Sequence, residues 1–309
     1  MKKIFFLLFV LSTFYSSAQK TEKVYLNPSD SSINRYIALV PDKEPIRAVM
    51  FFLDGFGASP QGVMTESDMP GYAAQQGILT ILPVLKTGPL YFGVDDASQA
   101  SLKEQVEYIY KKYQLEGKPF YIGGFSIGGS CAVKYAELAV KNNYPVKPKA
   151  LFAVDPPLDF ERFHENARRV VRLSVHTPVN SEVTYMINRI EKEMGGTPQN
   201  APENYFHMSP YSFNDTTQRA VKLLVNTPVT FITEPDIQWW MANRGYDYSY
   251  INVSDLAAMI NELQHLGNKN AVLLTTAGKG FRKQTNIRHP HSLSIMDKEA
   301  LIKWLYSFR

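Results

Sequence analysis

One stretch constrains the chain more than any other: Pro119-Phe120-Tyr121-Ile122-Gly123-Gly124-Phe125-Ser126-Ile127-Gly128-Gly129. A run that reads as a strand meets Gly-x-Ser-x-Gly, and the helix-compatible segment Ser130 to Lys141 follows at once. A serine on such a sharp strand-to-helix turn projects its hydroxyl away from the sheet. Small residues two before and two after it let neighbouring backbone pass without a Cβ clash. The turn also aims the Ile127 N–H, at the positive end of the new helix, toward charge developing beside Ser126. A glycine-rich turn that merely closes a βαβ unit is the bland alternative, and it does not need both flanks.

The elements around this stretch repeat its alternation. Lys23 to Leu26 and Arg35 to Val40 read as a hairpin at a sheet edge. Ala48 to Leu53, Ile78 to Leu82, Ala150 to Val154, Val229 to Thr233 and Ala271 to Thr276 are apolar runs that suit strands covered on both faces. Helices are expected around Glu66 to Gln75, from Ser101, which opens a capping-box pattern, from Asn252 to about Leu266, and from Ser294 to the end. The sum is an α/β fold, a mostly parallel sheet of about eight strands flanked by helices. The rhythm breaks over 158–224, which reads as a mostly helical cap insertion over the carboxyl ends of the strands.

With 309 residues, 45% of them hydrophobic, the chain can bury a large core as one domain with an insertion. Lys2 and Lys3, the apolar run Ile4 to Leu11 and the small residues Ser16-Ser17-Ala18 describe a signal peptide over 1–18, cut after Ala18. Residues 19–309 would then be secreted or periplasmic, with no stable membrane anchor. Without Lys2 and Lys3, 31 basic side chains stand against 29 acidic ones, a balance that argues against a nucleic-acid partner. Cys131 is the only cysteine and reads as packing on the helix after Ser126.

In the order of these elements and in Gly124-Phe125-Ser126-Ile127-Gly128 the chain resembles the α/β-hydrolases, and among them the secreted esterase-like members. The resemblance implies a nucleophile on the turn after the fifth strand, an acid after a later strand and a histidine after the last one. Ser126, Asp236 (or Glu234, two residues before it) and His291 stand in that order. Asp155, after an earlier strand, is a further candidate acid, because some hydrolases take theirs there. The 55 residues from Asp236 to His291 exceed what compact members need. His291 is preferred to His289, which precedes Pro290 and is pushed toward an extended conformation.

The chemistry accounts for the residue types. A serine hydroxyl needs an adjacent base to take its proton as it attacks a carbonyl, and a carboxylate holds that imidazole in the right tautomer. For the oxyanion hole the donors expected are Ile127 N–H and, from Asp54-Gly55-Phe56-Gly57, the N–H of Phe56, with Gly57 second. The expectation is an exported serine hydrolase cleaving a carboxylic ester, small or polymer-attached, through an acyl-enzyme, without metal or organic cofactor. A serine peptidase on the same fold and a non-catalytic binding protein are the alternatives. Trp239, Trp240, Tyr246, Tyr248 and Tyr250 could line a pocket, and Lys279, Arg282, Lys283 and Arg288 make a basic loop before His291. Oligomeric state is left open.

Overall fold

Six apolar side chains in a row, Ala48 to Leu53, have nowhere to go but into two cores at once. Val49, Phe51 and Leu53 enter one apolar cluster, and Ala48, Met50 and Phe52 enter another on the opposite face. This period of two is the signature of a strand buried on both sides. In the computed structural model, which describes residues 20–27, 29–42, 45–174 and 181–309, that strand sits in the middle of an eight-stranded sheet. The segment 1–18, read as a signal peptide, lies outside the described residues.

The strands are β1 (Lys20–Tyr25), β2 (Arg35–Val40), β3 (Ala48–Leu53), β4 (Ile78–Val84), β5 (Phe120–Phe125), β6 (Ala150–Val154), β7 (Val229–Thr233) and β8 (Ala271–Thr275). Their spatial order is β1-β2-β4-β3-β5-β6-β7-β8. Only β2 runs against its neighbours, pairing antiparallel with both β1 and β4; the remaining pairs are parallel. The order reverses between β3 and β5, so the crevice beyond their carboxyl ends is where a ligand site is expected in an open sheet of this kind.

The helices are α1 (Pro60–Glu66), α2 (Met69–Gln75), α3 (Asp96–Lys112), α4 (Ile127–Lys141), α5 (Phe160–Leu173), α6 (Ser181–Met194), α7 (Pro202–Met208), α8 (Ile237–Arg244), α9 (Val253–His265) and α10 (Lys298–Leu305). Several differ from the sequence expectation for local reasons. The helix expected at Glu66 to Gln75 is two, because extended Ser67 ends α1 and Pro70 then starts α2. α3 begins five residues before Ser101: Asp95 caps it by accepting the Ser98 N–H (2.9 Å), and Ser101 lies buried inside, its hydroxyl taking the Lys86 N–H (2.9 Å). α10 is capped by Asp297, whose carboxylate accepts from Glu299 and Ala300.

Between β6 and β7 the described residues hold α5, α6, α7 and a single 3-10 turn, Val221–Leu224, and no strand. This excursion is tied to the sheet by buried charge. Asp255, in the first turn of α9, accepts the N–H groups of Leu158 (2.9 Å) and Asp159 (3.1 Å) and the Nη2 of Arg162 (2.9 Å). The carboxylate is fully buried, and removing one partner of such a network leaves the other charge uncompensated. Asp255→Ala is expected to lower the unfolding free energy by about 3 kcal/mol or more, measured by urea denaturation. A loss within ordinary surface-mutation scatter, about 0.5 kcal/mol, would contradict this account.

Candidate active site

The turn after β5 brings Ser126 to φ 52°, ψ −130°, a backbone that few non-glycine residues adopt. Its N–H is held by Val154 O (2.9 Å), and its carbonyl accepts from Gly129 (2.8 Å), so the strain is supported on both sides. The glycines flanking it are there because of close approach. A Cβ at Gly124 would stand 2.4 Å from the Gly128 carbonyl carbon, and one at Gly128 would stand 2.2 Å from Asp54 O. α4 therefore starts directly against the end of β3. Ile127 N–H is the first of α4, with no carbonyl behind it in the helix to take it.

Asp155 follows β6, the strand next to β5, with φ +48°. Its N–H is taken by Ile232 O (2.8 Å), and its own carbonyl accepts from Asn252 Nδ2 (2.8 Å). Thr233 donates its hydroxyl to Asp155 Oδ1 (2.6 Å), and Oδ2 lies 2.6 Å from His291 Nδ1. A carboxylate on Nδ1 fixes the tautomer with the proton there and leaves Nε2 as the basic nitrogen. The imidazole of His291 also lies against Phe125, with ring centroids 4.6 Å apart.

The acid expected from the sequence does not meet the histidine. Asp236 caps α8, accepting the Trp239 N–H (3.1 Å), and its Oδ2 pairs with Arg288 Nη2 (2.6 Å). Glu234, the alternative, is buried as a clamp: it accepts from Thr276 Oγ1 (2.9 Å) and the N–H groups of Lys279 (2.8 Å) and Gly280 (3.2 Å), and pairs with Arg288 (2.5 Å). Arg288 takes both carboxylates beyond β7, whereas Asp155, beyond β6 next to β5, is left to His291. Asp155 showed the same cue in sequence as Asp236, an acid beyond a buried apolar run, and the partners that separate them are set by tertiary packing.

The residues 278–289, expected as a loop, carry a small antiparallel hairpin, β9 (Phe281–Arg282) with β10 (Ile287–Arg288). His289 is not the solvated residue such a loop suggests. Burial first, then the charges of Arg282, His291 and Arg244, push it down to about 3, so it is neutral and its Nδ1–H donates to His291 O (3.1 Å).

Ser126, Asp155 and His291 open onto one cavity of about 450 Å³. Phe56 and Ile127 line it too, while Gly57 N–H is spent on Pro89 O (2.8 Å). Phe163, Tyr185 and Met186 from α5 and α6 form one wall; Trp240, Tyr246 and Tyr250 form another. Of the aromatic stretch expected to line a pocket, Trp239 instead packs on Trp240 and His289, and Tyr248 is exposed. Cys131 is buried below Gly93, outside this cavity, and burial pushes its thiol up. Among the described residues no group of three His, Cys, Asp or Glu side chains could hold a metal ion.

No protein-family model matches the chain, and no curated protein sequence does. Solved structures do. Carboxyl esterase 2 of the fungus Tuber melanosporum superposes with a TM-score of 0.60 at 13% identity, over 96% of this chain and 89% of that one. The S-formylglutathione hydrolase of Agrobacterium tumefaciens gives 0.57 at 13%, over 94% and 95%. Fluorophosphonate-binding serine hydrolase F of Staphylococcus aureus gives 0.55 at 12%, over 94% and 98%. The fold is that of the α/β-hydrolases. In this fold the crevice at the strand reversal is the cavity that holds Ser126.

Asp54 marks this candidate site electrostatically. Its Oδ1 accepts the Gly55 N–H (2.7 Å), its Oδ2 is buried without a hydrogen bond, and burial pushes the carboxyl up to about 7. An unfolded chain releases that proton near pH 3.9, so between about 4 and about 7 the folded chain binds the extra proton and loses stability as pH rises. Asp54→Asn is expected to remove this decline. Denaturant unfolding followed from pH 4 to 8 checks it, and parallel profiles for the variant and the wild type would contradict the buried carboxyl.

Proposed function

We propose that this chain is an exported serine hydrolase that cleaves carboxylic esters through an acyl-enzyme, with Ser126 as nucleophile, His291 as base and Asp155 as acid. The observation that carries the reading is the His291–Asp155 contact opening onto the same cavity as the strained Ser126 turn. Esterases and a fluorophosphonate-binding serine hydrolase among the structural neighbours agree with it. Export rests on the character of residues 1–18 alone.

The steps follow from the groups present. Ser126 Oγ attacks the ester carbonyl while His291 Nε2 takes its proton. Asp155, already satisfied by Thr233, stabilises the imidazolium. The N–H groups of Phe56 and Ile127 receive the negative charge that develops on the carbonyl oxygen, where preorganised donors act most strongly. His291 then protonates the leaving alcohol, and water attacks the acyl-enzyme by the same route in reverse. α5 and α6 act as a cap that excludes bulk water from the acyl group.

The reading is tested on 4-nitrophenyl esters. Ser126→Ala is expected to lower kcat by about a millionfold, as deletion of a triad nucleophile does. Asp155→Asn is expected to cost about 10⁴ in kcat, whereas Asp236→Asn retains most of it. Near-normal turnover by Asp155→Asn together with loss in Asp236→Asn would reverse the assignment. Fluorophosphonate labelling mapped by peptide mass spectrometry is expected to find one adduct, on Ser126; none on the folded protein would speak for a binding role.

A further inference from the structure

Two guanidinium groups line the cavity beside Ser126: Arg244, the last residue of α8, and Arg282 on β9. The other basic side chains of 279–288 are employed elsewhere or lie outside the cavity. Arg288 pairs with Glu234 and Asp236, Lys283 pairs with Asp68 (2.5 Å), and Lys279 is exposed away from the lining. Arg244 and Arg282 have no carboxylate within ion-pair distance among the described residues. Burial, foremost, disfavours charge on Arg282; Glu66 and then Glu182 favour it, and Arg244 disfavours it more weakly than either acid acts. Those two acids also line the cavity, and Glu66 is engaged in accepting the Lys283 N–H (2.8 Å).

A guanidinium that has given up water without a bound carboxylate gains most from a ligand oxyanion, which its planar fork can take with two parallel hydrogen bonds. Glu66 and Glu182 offset part of the positive charge, so the site suits a singly charged group better than a phosphate dianion. Trp240 and Tyr246 stand beside Arg244 to take the apolar body of the same molecule.

We infer that Arg244 and Arg282 form an anion subsite that selects esters bearing a carboxylate in addition to the ester being cleaved. The inference deepens the ester-hydrolase reading above and rests on it for turnover, though not for binding.

The test uses two matched pairs with the mature protein. 4-Nitrophenyl hemiglutarate against its methyl ester carries the charge on the acyl side, and 4-acetoxybenzoate against methyl 4-acetoxybenzoate carries it on the alcohol side. In at least one pair the charged ester is expected to be favoured in kcat/KM by about tenfold or more, through KM. That ratio should collapse toward one in Arg282→Gln and in Arg244→Gln and persist in Lys283→Gln. Ratios near one in both pairs, or a ratio that survives the double variant, would overturn the subsite. If no ester is turned over, calorimetric binding to Ser126→Ala decides separately. Tighter binding of the hemiglutarate or 4-acetoxybenzoate than of its neutral partner, lost with Arg282→Gln, keeps the subsite while the hydrolase reading fails; equal binding within both pairs removes it.

Discussion

Gly128 passes so close to the Asp54 carbonyl that no Cβ could fit there. It lets the first turn of α4 press on the end of β3, and so draws together the Ser126 turn and the Asp54–Gly57 turn. Both candidate oxyanion donors, Phe56 and Ile127, are neighbours only because of this approach. Ser126 is held at positive φ by the same packing, with β6 supplying the acceptor for its N–H. The site is thus a consequence of how three strand ends are spaced, and side chains elsewhere in the core chiefly keep that spacing rigid.

Much of this was legible in the chain. β3, β6 and β7 fall where continuous apolar runs end, because strands buried on both faces leave no polar position to blur their bounds. The sharp turn at Ser126 was legible from its glycines and flanking elements. Helix starts were less legible: Ser101 has the capping pattern but serves as a buried acceptor, and the acid at Asp95 does the capping. α8 went unread because its eight residues bury no side chain fully and leave no apolar stripe. Which carboxylate meets His291 was not legible, because two similar strands each end in acids and only tertiary packing gives Asp236 and Glu234 to Arg288 and Asp155 to His291.

The cavity walls are the least readable part for a related reason. Phe163 and Tyr185 lie far in sequence from the Trp240–Tyr250 stretch that was expected to line a pocket, and each is an ordinary aromatic until tertiary packing aims it. Tyr246 shows both roles at once, packed within 4.3 Å of the Tyr250 ring centroid while lining the cavity. Nothing local marks Arg282 off from Lys283 next to it; the β9–β10 hairpin alternates them, one toward the cavity and one toward Asp68.

The segment that carries His291 is anchored in an unusual way. Glu234 grips the main chain at Lys279 and Gly280, and Arg288 Nη1 grips the Gly280 carbonyl (2.7 Å). Main-chain groups are the same whatever the residue, so most side chains between 281 and 287 are not part of the grip. Such a segment uncouples the hold on the chain from the identity of the hairpin side chains: residues 283–287 are exposed and can be exchanged while His291 keeps its place against Asp155.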